Sequence, residues 1–412
     1  MKITTRARML SFIVLFIACG LFAQNSELLK IRISEKNNLE RSLEYVEFSC
    51  QLNFDNSDNG EIHLVAEEIE SKRQIPCQVA AHKINDTTNT YLLRVIFPVS
   101  MPALSSKQYL LKRNEKEHAV SGNLGMQGEG LGLIIENDFY RADLTKNKDV
   151  EPQSHDSGQI RELTIKMGFN HLVTNVEDRV HWAPNFDRPQ IEWYTTIAHW
   201  SFPKIYQVEK GPYQIRTIRQ DKAPDHPEIL LSATYNFYDG LPYFKFYSEM
   251  EMKEGLWLQL LRNDEMAMDS MFTHLAFERP NGELVDLPFT EMHPLIDDYP
   301  IENDSPWLCF YNKDKGFAFG SIRIFYDNRD VFGNESILYE PHTQIGEWLK
   351  GIKYWNRRLI HNHLTYVPRG NNYREENAYL VFKASGKDHL KDIQYWAKRL
   401  RNPLSVHLEY KK

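Results

Sequence analysis

The sequence has 412 residues, with 49 lysines and arginines against 56 aspartates and glutamates, a formal net charge of −7, and 42% hydrophobic and 12% aromatic residues. This composition is typical of a folded globular protein and excludes a disordered chain. The acidic balance argues against nucleic acid as a partner, and four cysteines are too few for a disulfide scaffold.

The first 23 residues have the pattern of a secretory signal peptide. A basic start precedes an apolar stretch that is too short to span a bilayer and ends at Ala23, a small residue suited to cleavage. A second interpretation stays open, because residues 17–20 resemble a lipoprotein box in which Cys19 would carry a lipid anchor. Both predict an exported protein that is periplasmic, secreted or held on the outer membrane as a lipoprotein, and no later segment predicts a transmembrane span.

Residues 25–122 contain short segments in which apolar and polar residues alternate, for example 29–34, 45–54 and 91–97. A period of two predicts strands, and the Asn-, Asp- and Gly-rich gaps between them predict turns, so this region is predicted to be an antiparallel β-sandwich.

Three cysteines remain after the predicted leader. In an oxidising compartment Cys50 and Cys77 could pair across two strands and leave Cys309 free, or all three could be buried as small apolar side chains. The sequence leaves both interpretations open.

A glycine-rich stretch at residues 121–132 predicts a joint between two domains. It lacks the Gly-Lys-Ser/Thr ending of a phosphate loop, so nucleotide binding is not predicted. The second domain is predicted over residues 123–412 and is also rich in strands. Its clearest alternating segments are 133–144, 160–167, 229–238 and 241–252.

One helix is predicted near the C-terminus, over residues 387–401. Ser385 or Asp388 is predicted to cap its start, and Pro403 follows its end. A last strand at 404–410 is predicted to return to the sheet. The residues predicted to share the apolar face of the helix are Leu390, Ile393, Ala397 and Leu400.

Five segments follow one another in a recognisable order, at residues 75–79, 95–109, 135–144, 158–163 and 235–244. Together they resemble the β-rich part of many carbohydrate-active enzymes, in which a sandwich precedes a galactose-mutarotase-like supersandwich. The resemblance implies a mainly β fold, with an N-terminal antiparallel β-sandwich, a large β-supersandwich and one C-terminal helix. It also implies a sugar site on the concave face of the sheet.

Enzymes that resemble this arrangement include polysaccharide lyases, epimerases and hydrolases. The arrangement is also similar to the C-terminal half of retaining α-mannosidases, whose nucleophile lies on a separate α/β barrel. No barrel precedes it in this sequence, so mannosidase activity is not carried over. The resemblance therefore raises the expectation of a polysaccharide or oligosaccharide partner without deciding the reaction.

The eight tryptophans all follow residue 181. Aromatic rings stack on the apolar face of a sugar, although tryptophans also fill the core of a large sheet. Trp200 and Trp307 are predicted to contact substrate. Residues 181–200 predict a long loop over one face of the sheet, and His199 beside Trp200 is the pair favoured within it.

A second polar cluster contains Arg262, Asn263 and Glu265. Strand alternation after residue 272 predicts that His274 projects beside these three residues. The alternative interpretation is a salt-bridged turn with no chemical role.

The densest stretch of ionisable and aromatic residues is 354–377. His361 and His363 have the spacing of a metal pair on a strand, but no third ligand has a recognisable spacing, so no metal site is predicted. A Ca²⁺ ion on loop carboxylates such as Asp297 and Asp298 is the one cofactor that the sequence leaves open.

The reaction favoured by these residues is β-elimination in a polysaccharide that contains uronic acid. Such a lyase neutralises the substrate carboxylate, removes the proton on C5 and protonates the leaving oxygen. The predicted bases are His199 and His274. The predicted acid or base is Tyr354 or Tyr373, and the predicted neutralising groups are Arg262, Asn263, Arg357 and Arg358.

Other reactions stay open on the same fold. A glycoside hydrolase would use two carboxylates, for which Glu265 and either Glu375 or Glu376 are the candidates. An epimerase or a non-catalytic glycan-binding protein is also compatible with the pattern. Serine-hydrolase chemistry is disfavoured because no Gly-x-Ser-x-Gly elbow occurs.

Overall fold

The computed structural model describes residues 27–54, 62–85, 87–114, 120, 122–150, 154–175, 177–189, 194–291, 301–347 and 349–410. The predicted signal peptide, the predicted lipid anchor at Cys19 and the Ca²⁺ candidates Asp297 and Asp298 lie outside these residues. In the described part of the chain, no helix is long and apolar enough to cross a membrane.

The described residues are mainly β-strands, as predicted. The strands up to residue 173 are β1 (Glu27–Ser34), β2 (Arg41–Asn53), β3 (Leu64–Glu68), β4 (Gln74–Pro76), β5 (Gln78–Asn85), β6 (Thr90–Met101), β7 (Ser106–Arg113), β8 (Gly125–Glu129), β9 (Gly132–Glu136), β10 (Tyr140–Asp143), β11 (Glu162–Ile165) and β12 (His171–Val173). The next strands are β13 (Asn185–Asp187), β14 (Thr195–Thr196), β15 (Ile205–Lys210), β16 (Gln214–Ala223), β17 (His226–Tyr238), β18 (Tyr243–Met252), β19 (Leu256–Leu258), β20 (Leu260–Met268), β21 (His274–Glu278) and β22 (Leu284–Pro288). The last are β23 (Ile301–Glu302), β24 (Trp307–Tyr311), β25 (Phe317–Asp327), β26 (His342–Glu347), β27 (Lys353–Ile360), β28 (Thr365–Val367), β29 (Asn372–Lys383) and β30 (Ser405–Tyr410).

The helices are short. The described part of the chain has one α-helix, α1 (Lys391–Leu400), and the single-turn 3₁₀ helices Lys148–Val150, Ile197–His199, Phe289–Glu291 and Leu349–Gly351.

The N-terminal sandwich packs a five-stranded sheet, in the order β30-β1-β7-β3-β4, on a three-stranded sheet, in the order β2-β6-β5. In β2, Val46, Phe48 and Cys50 point into the core, while Glu47 and Ser49 alternate with them on the other face. This is the alternation that the sequence predicted.

The final strand differs from its predicted place. Residues 404–410 were predicted to return to the sheet of the second domain, but β30 pairs antiparallel with β1 in the N-terminal sheet, with Leu408 opposite Ile31. Alternation identifies a strand but not the sheet edge that it joins, so the sequence could not give this pairing.

The cysteines of the described chain are free thiols: Cys50, Cys77 and Cys309. Cys50 lies in the sandwich core, and burial raises the pKa of its thiol to about 12. The structure therefore has no bond between Cys50 and Cys77, which was one of the two interpretations that the sequence left open.

The glycine-rich stretch forms the hairpin of β8 and β9. Gly128 has a φ of 98°, and a Cβ atom added there would lie 2.2 Å from the carbonyl oxygen of Gly132. Only glycine fits such a turn. The hairpin is one edge of a five-stranded sheet in the order β12-β11-β10-β9-β8.

The supersandwich contains a nine-stranded sheet, in the order β15-β16-β17-β18-β29-β25-β24-β21-β22, and a six-stranded sheet, in the order β14-β13-β20-β27-β26-β23. The two sheets share one large core, in which Trp355 of β27 packs against Phe310 and Phe319 of the nine-stranded sheet. The other face of the six-stranded sheet is turned away from this core and carries the candidate site.

Helix α1 packs on the outer face of the nine-stranded sheet through Ile393, Ala397 and Leu400, as its apolar face predicted. The helix begins at Lys391, later than predicted, and neither Ser385 nor Asp388 caps it with a side chain. Instead, the backbone N–H of Lys391 donates to the carbonyl oxygen of Asp388, which closes a turn before the helix.

A buried carboxylate, Glu35, stabilises the N-terminal sandwich near this helix. Burial raises the pKa of Glu35, but backbone N–H groups of Leu104, Leu39 and Asn37 and the guanidinium of Arg41 outweigh it and lower the pKa to about 2. A carboxylate whose folded pKa lies below its unfolded value of roughly 4.3 stabilises the protein fully above that value, and this stability is lost as the pH falls toward 2.

We therefore expect Glu35→Gln to lower the thermal midpoint of unfolding by several degrees at pH 7 and to have little effect near pH 2. The measurement is the midpoint between pH 2 and 7, monitored by circular dichroism, with the exposed Glu409→Gln as the control. A difference between wild type and Glu35→Gln that stays constant across this range would contradict the role of the carboxylate.

Candidate functional site

The candidate site is a cavity of about 280 Å³ on the outer face of the six-stranded sheet. We call it the Glu265 cavity. It is lined by Asn175, Glu177, Trp182, Tyr194, Arg262, Glu265, Ala267, Ile352, Tyr354 and Asn356.

Two neighbouring strands, β20 and β27, form its floor. They pair antiparallel, with Glu265 opposite Asn356 and Ala267 opposite Tyr354. Because side chains alternate along a strand, Tyr354 and Asn356 share the outer face, while Trp355 between them points into the core. The cavity therefore follows directly from the register of these two strands.

Glu265 is the carboxylate at the centre of the floor. Its Oε2 atom accepts hydrogen bonds from Asn185 Nδ2 at 2.6 Å and from Arg262 Nη1 at 2.9 Å. Oε1 has no hydrogen-bond partner among the described residues. The carboxylate is therefore held in place through one oxygen, while the other is available to a ligand hydroxyl group.

Two arginines give the site positive charge. Arg262 and Arg358 lie opposite each other in the β20–β27 pair. Burial, and then the like charge of Arg262, lowers the pKa of Arg358 to about 10, although Tyr354 and Glu265 act in the opposite direction. Nε of Arg358 donates to Asn356 Oδ1 at 2.8 Å, so this arginine also orients an amide that lines the cavity.

Aromatic rings form one wall of the cavity. The rings of Trp182 and Tyr194 have centroids 6.3 Å apart, and the guanidinium of Arg262 lies 5.9 Å from the Tyr194 ring. Burial, and then the nearby charge of Glu265, raises the pKa of the Tyr194 hydroxyl, so Tyr194 stays protonated. The wall thus combines apolar surface with a proton donor.

The structure brings three of the predicted site residues into this cavity, namely Arg262, Glu265 and Tyr354, with Arg358 beside them. His199 is not among the lining residues, and its ring lies 6.5 Å from that of Trp182. Burial, and then the proximity of His155, lowers the pKa of His199, so it is neutral at pH 7.

Arg357 and Asn263 lie on the opposite side of the same strands. Arg357 points between the two sheets, where it forms an ion pair with Glu375 at 2.9 Å, and Asn263 Oδ1 accepts a hydrogen bond from it at 3.4 Å. The predicted hydrolase partner Glu375 is therefore buried, and Glu376 pairs with Lys245 on the nine-stranded sheet. Strand alternation explains why Arg357 and Arg358 face opposite ways.

Three predicted substrate-binding aromatics are buried and bonded within the protein. Trp200 donates to the carbonyl of Lys222, Trp307 to the carboxylate of Glu278, and Tyr373 to the carbonyl of Ile337. None of the three rings is more than 4% exposed, so none offers a face to a sugar.

His274 does not lie beside Arg262, contrary to the sequence prediction. The chain crosses from the six-stranded sheet to the nine-stranded sheet between β20 and β21. His274 lies on β21, with its ring 5.0 Å from that of Tyr311, which in turn packs against His389 after β29. Proximity in sequence predicted a hairpin where the fold has a crossing.

The histidine pair predicted from its spacing follows the end of β27 and is not on a strand. His361 accepts from Arg358 Nη1 at 2.6 Å, whereas the ring of His363 stacks on Tyr339 at 3.9 Å. The two rings thus have separate partners. Among the described residues, no group of three His, Cys, Asp or Glu side chains is arranged to hold a metal ion.

Several lining residues were missed by sequence reasoning. Trp182 and Tyr194 lie within residues 181–200, the stretch that was predicted to cover the site, but the favoured pair within it was His199 and Trp200. Asn356 lies between Tyr354 and Arg358 at a spacing of two on β27, so strand alternation alone places it on the same face as these two predicted residues. Asn175 and Glu177 come from a connecting segment with no distinguishing pattern.

Comparison with known proteins gives the fold and no more. The sequence matches no protein-family model and no curated protein. The structure is similar to an α-mannosidase from Enterococcus faecalis, with a TM-score of 0.52 and 8% identity, over 95% of this chain and 47% of that one. It is also similar to a protein in glycosyl hydrolase family 38 from the same organism, with a TM-score of 0.50 and 8% identity, over 94% and 48% of the two chains.

This chain spans about half the length of each of these structures. It shares a β-sandwich fold with carbohydrate-active enzymes. The fold that the resemblance implied is therefore confirmed, while at such low identity the activity of these enzymes is not transferred.

Proposed function

We propose that the protein is a carbohydrate-active enzyme with its active site in the Glu265 cavity. The observation that supports this is the convergence of Arg262, Glu265 and Tyr354, which come from two strands far apart in the sequence, on one cavity with an aromatic wall. Scattered polar residues would not have supported an enzyme.

The lining suits a sugar ring. The rings of Trp182 and Tyr194 can stack on the apolar C–H face of a sugar, and Glu265, Arg262 and Asn356 can exchange hydrogen bonds with its hydroxyl groups. A carbohydrate combines an apolar face with several hydroxyl groups, which is the combination that this lining can bind.

The reaction that we propose is β-elimination on a uronic-acid-containing polysaccharide. Arg262 and Asn356 bind the uronate carboxylate. The hydroxyl of Tyr354 first gives its proton to water, and its oxygen then takes the proton from C5. The electron pair of that C–H bond forms the C4–C5 double bond while the C4–O bond breaks. Tyr194, which its raised pKa keeps protonated, gives its proton to the departing oxygen.

Hydrolysis or epimerisation is the second candidate, because two carboxylates, Glu177 and Glu265, line the same cavity. Glycosidases use such a pair as acid and as base or nucleophile. The pair differs from the one predicted from sequence, since Glu375 is buried with Arg357.

The test is incubation of the mature protein with a panel of uronic-acid polysaccharides, with and without Ca²⁺, while absorbance near 232 nm is followed. A rise reports the unsaturated product and supports the lyase. New reducing ends without a rise support the hydrolase. Retention of the protein on glycan gels without any product would contradict enzymatic activity and would support a glycan-binding protein instead.

Variants tie any product to the cavity. We expect Arg262→Met to lower kcat/KM by about 10²-fold or more, because an arginine that binds and neutralises the substrate carboxylate contributes several kcal/mol to the transition state. Tyr206→Phe, on the exposed edge strand β15, is the matched control and should leave kcat/KM unchanged. Equal rates for Arg262→Met and wild type would exclude the cavity as the active site.

We also propose that the enzyme is exported, on the basis of the N-terminal residues. Cell fractionation with detection of the mature N-terminus tests this. Cleavage after Ala23 supports a soluble exported enzyme, and acylation at Cys19 supports a lipid-anchored one. An unprocessed chain in the cytoplasm would contradict both.

A further inference from the structure

We propose that Trp257 and Tyr366 form a second sugar-binding subsite, which holds a distant residue of the glycan whose reacting sugar lies in the Glu265 cavity. This inference rests on the proposed function and extends it to the length of the substrate. We call the pair the outer platform.

The outer platform is a pair of exposed aromatic rings on a small two-stranded sheet. Trp257 on β19 and Tyr366 on β28 lie directly opposite each other, with ring centroids 5.3 Å apart. Each residue is 48% exposed. Single exposed aromatic rings are common on protein surfaces, but here two rings stand side by side and form one apolar patch, the kind of surface that stacks on the C–H face of a sugar.

The platform is rigid. On the inner face of the same strands, Leu256, Leu258 and Val367 are buried in the core of the supersandwich. The Tyr366 ring packs directly on the backbone of Gly255, since a Cβ atom there would lie 2.1 Å from the Tyr366 hydroxyl oxygen. A ring that is already fixed loses little side-chain entropy when a ligand binds.

The platform is close to the cavity along the chain. Trp257 points away from the core, as do Arg262 and Glu265 on β20, which begins two residues after β19 ends. Trp257 and Arg262 are five positions apart in the sequence, so at about 3.3 Å per residue they are at most roughly 17 Å apart along the chain. That is a span of a few sugar residues.

Polar and aromatic side chains occupy the segment between β27, which borders the cavity, and β28, which carries Tyr366. Arg358, beside the cavity, donates to His361, whose ring packs against that of His342 at 4.7 Å. Next, His363 stacks on Tyr339, and β28 begins at Thr365. These groups offer hydrogen bonds and ring faces to a glycan that extends from the cavity toward Trp257.

The chemistry defines the ligand class. The cavity carries the charged groups, whereas the platform presents two aromatic faces, which bind the C–H face of a sugar irrespective of its charge. The partner is therefore an oligosaccharide or polysaccharide of more than three units, because a fragment of up to three sugars bound in the cavity would not reach the platform.

The experiment compares long and short glycans. Retention on gels that contain polygalacturonate, alginate or another polymer of the panel reports long-chain affinity, and fluorescence titration with the matching trisaccharide reports cavity affinity. We expect Trp257→Ala to weaken binding of the polymer about tenfold, the loss of roughly 1.4 kcal/mol of stacking, and to leave trisaccharide binding unchanged. Trp257→Phe should retain most of the polymer affinity because it keeps a ring.

The matched control is Tyr206→Ala, since Tyr206 is also 48% exposed but lies on β15 at the edge of the nine-stranded sheet. The polymer affinity of Tyr206→Ala should equal that of wild type. The thermal midpoint of every variant should stay within a few degrees of the wild-type midpoint. A Trp257→Ala protein that binds polymer as wild type does, or that loses trisaccharide binding equally, would overturn the platform.

The same assay separates the two proposals. If Arg262→Met retains polymer binding and Trp257→Ala loses it, the proposal that the Glu265 cavity is the main site is wrong, and the platform binds glycan on its own. If retention is lost in Arg262→Met and unchanged in Trp257→Ala, the cavity stands and the platform is overturned. Failure of wild type to bind any polymer of the panel overturns the platform as well.

Discussion

Replacing Arg357 with methionine should lower the free energy of unfolding by about 3–5 kcal/mol, because it leaves a carboxylate buried without its partner. Arg357 and Glu375 are 1% and 2% exposed, and their charged atoms are 2.9 Å apart. The guanidinium also lies 3.4 Å from the centroid of the Tyr326 ring. Without the guanidinium, Glu375 keeps the hydrogen bond from Asn377 but loses its ion-pair partner, so much of its desolvation cost is no longer offset in the folded state.

Urea denaturation of the purified protein measures this loss. The double variant Arg357→Met/Glu375→Leu should recover part of it, because an apolar pair of similar volume has no charge to desolvate. Lys30→Met, which removes one of the two partly exposed cationic partners of Glu409, is the control and should cost less than about 1 kcal/mol. An Arg357→Met protein as stable as Lys30→Met would show that the buried pair is not needed.

This result would also decide what Arg357 does. The sequence predicted that it neutralises a substrate carboxylate, but the structure places its charge against a carboxylate of the protein itself. We therefore expect Arg357→Met to change stability far more than KM, in contrast to Arg262→Met.

The fold could be predicted from sequence wherever local pattern decides it. Alternating segments such as 45–54 and 241–252 became strands, and the apolar face of α1 was correct, since both patterns record which side of an element is buried. The partner of β30 and the crossing between β20 and β21 were not predictable, because they depend on contacts between residues far apart in the sequence.

The site was predicted in part for the same reason. Strand alternation shows that Tyr354 and Arg358 lie on one face of β27 and that Arg357 lies on the other. Which of the two faces meets the nine-stranded sheet is decided by that sheet and not by β27. Residues of the right chemical type were therefore found, while buried examples such as Trp307 and Tyr373 were included with them.

Replacing Tyr354 with phenylalanine should lower kcat for polysaccharide cleavage by about 10²–10⁴-fold with little change in KM, because the variant keeps the ring and loses the oxygen that takes the proton. The ring direction is fixed by close packing. A Cβ atom at Gly346, on the neighbouring strand β26, would lie 2.3 Å from the Tyr354 ring. The hydroxyl is thus held at the cavity by the backbone of the next strand, which is the kind of support that a reacting group needs.

Gly346→Ala and His199→Ala complete the test with the same substrate. The methyl group at residue 346 would push the Tyr354 ring aside, so kcat should fall even though the tyrosine remains, while binding of a trisaccharide persists. His199 was one of the two bases predicted from sequence, but it does not line the cavity, so His199→Ala should lower kcat less than about tenfold. If His199→Ala were instead the inactive variant and Tyr354→Phe remained active, the base would be the histidine, and the aromatic wall would have to open for it to reach the sugar.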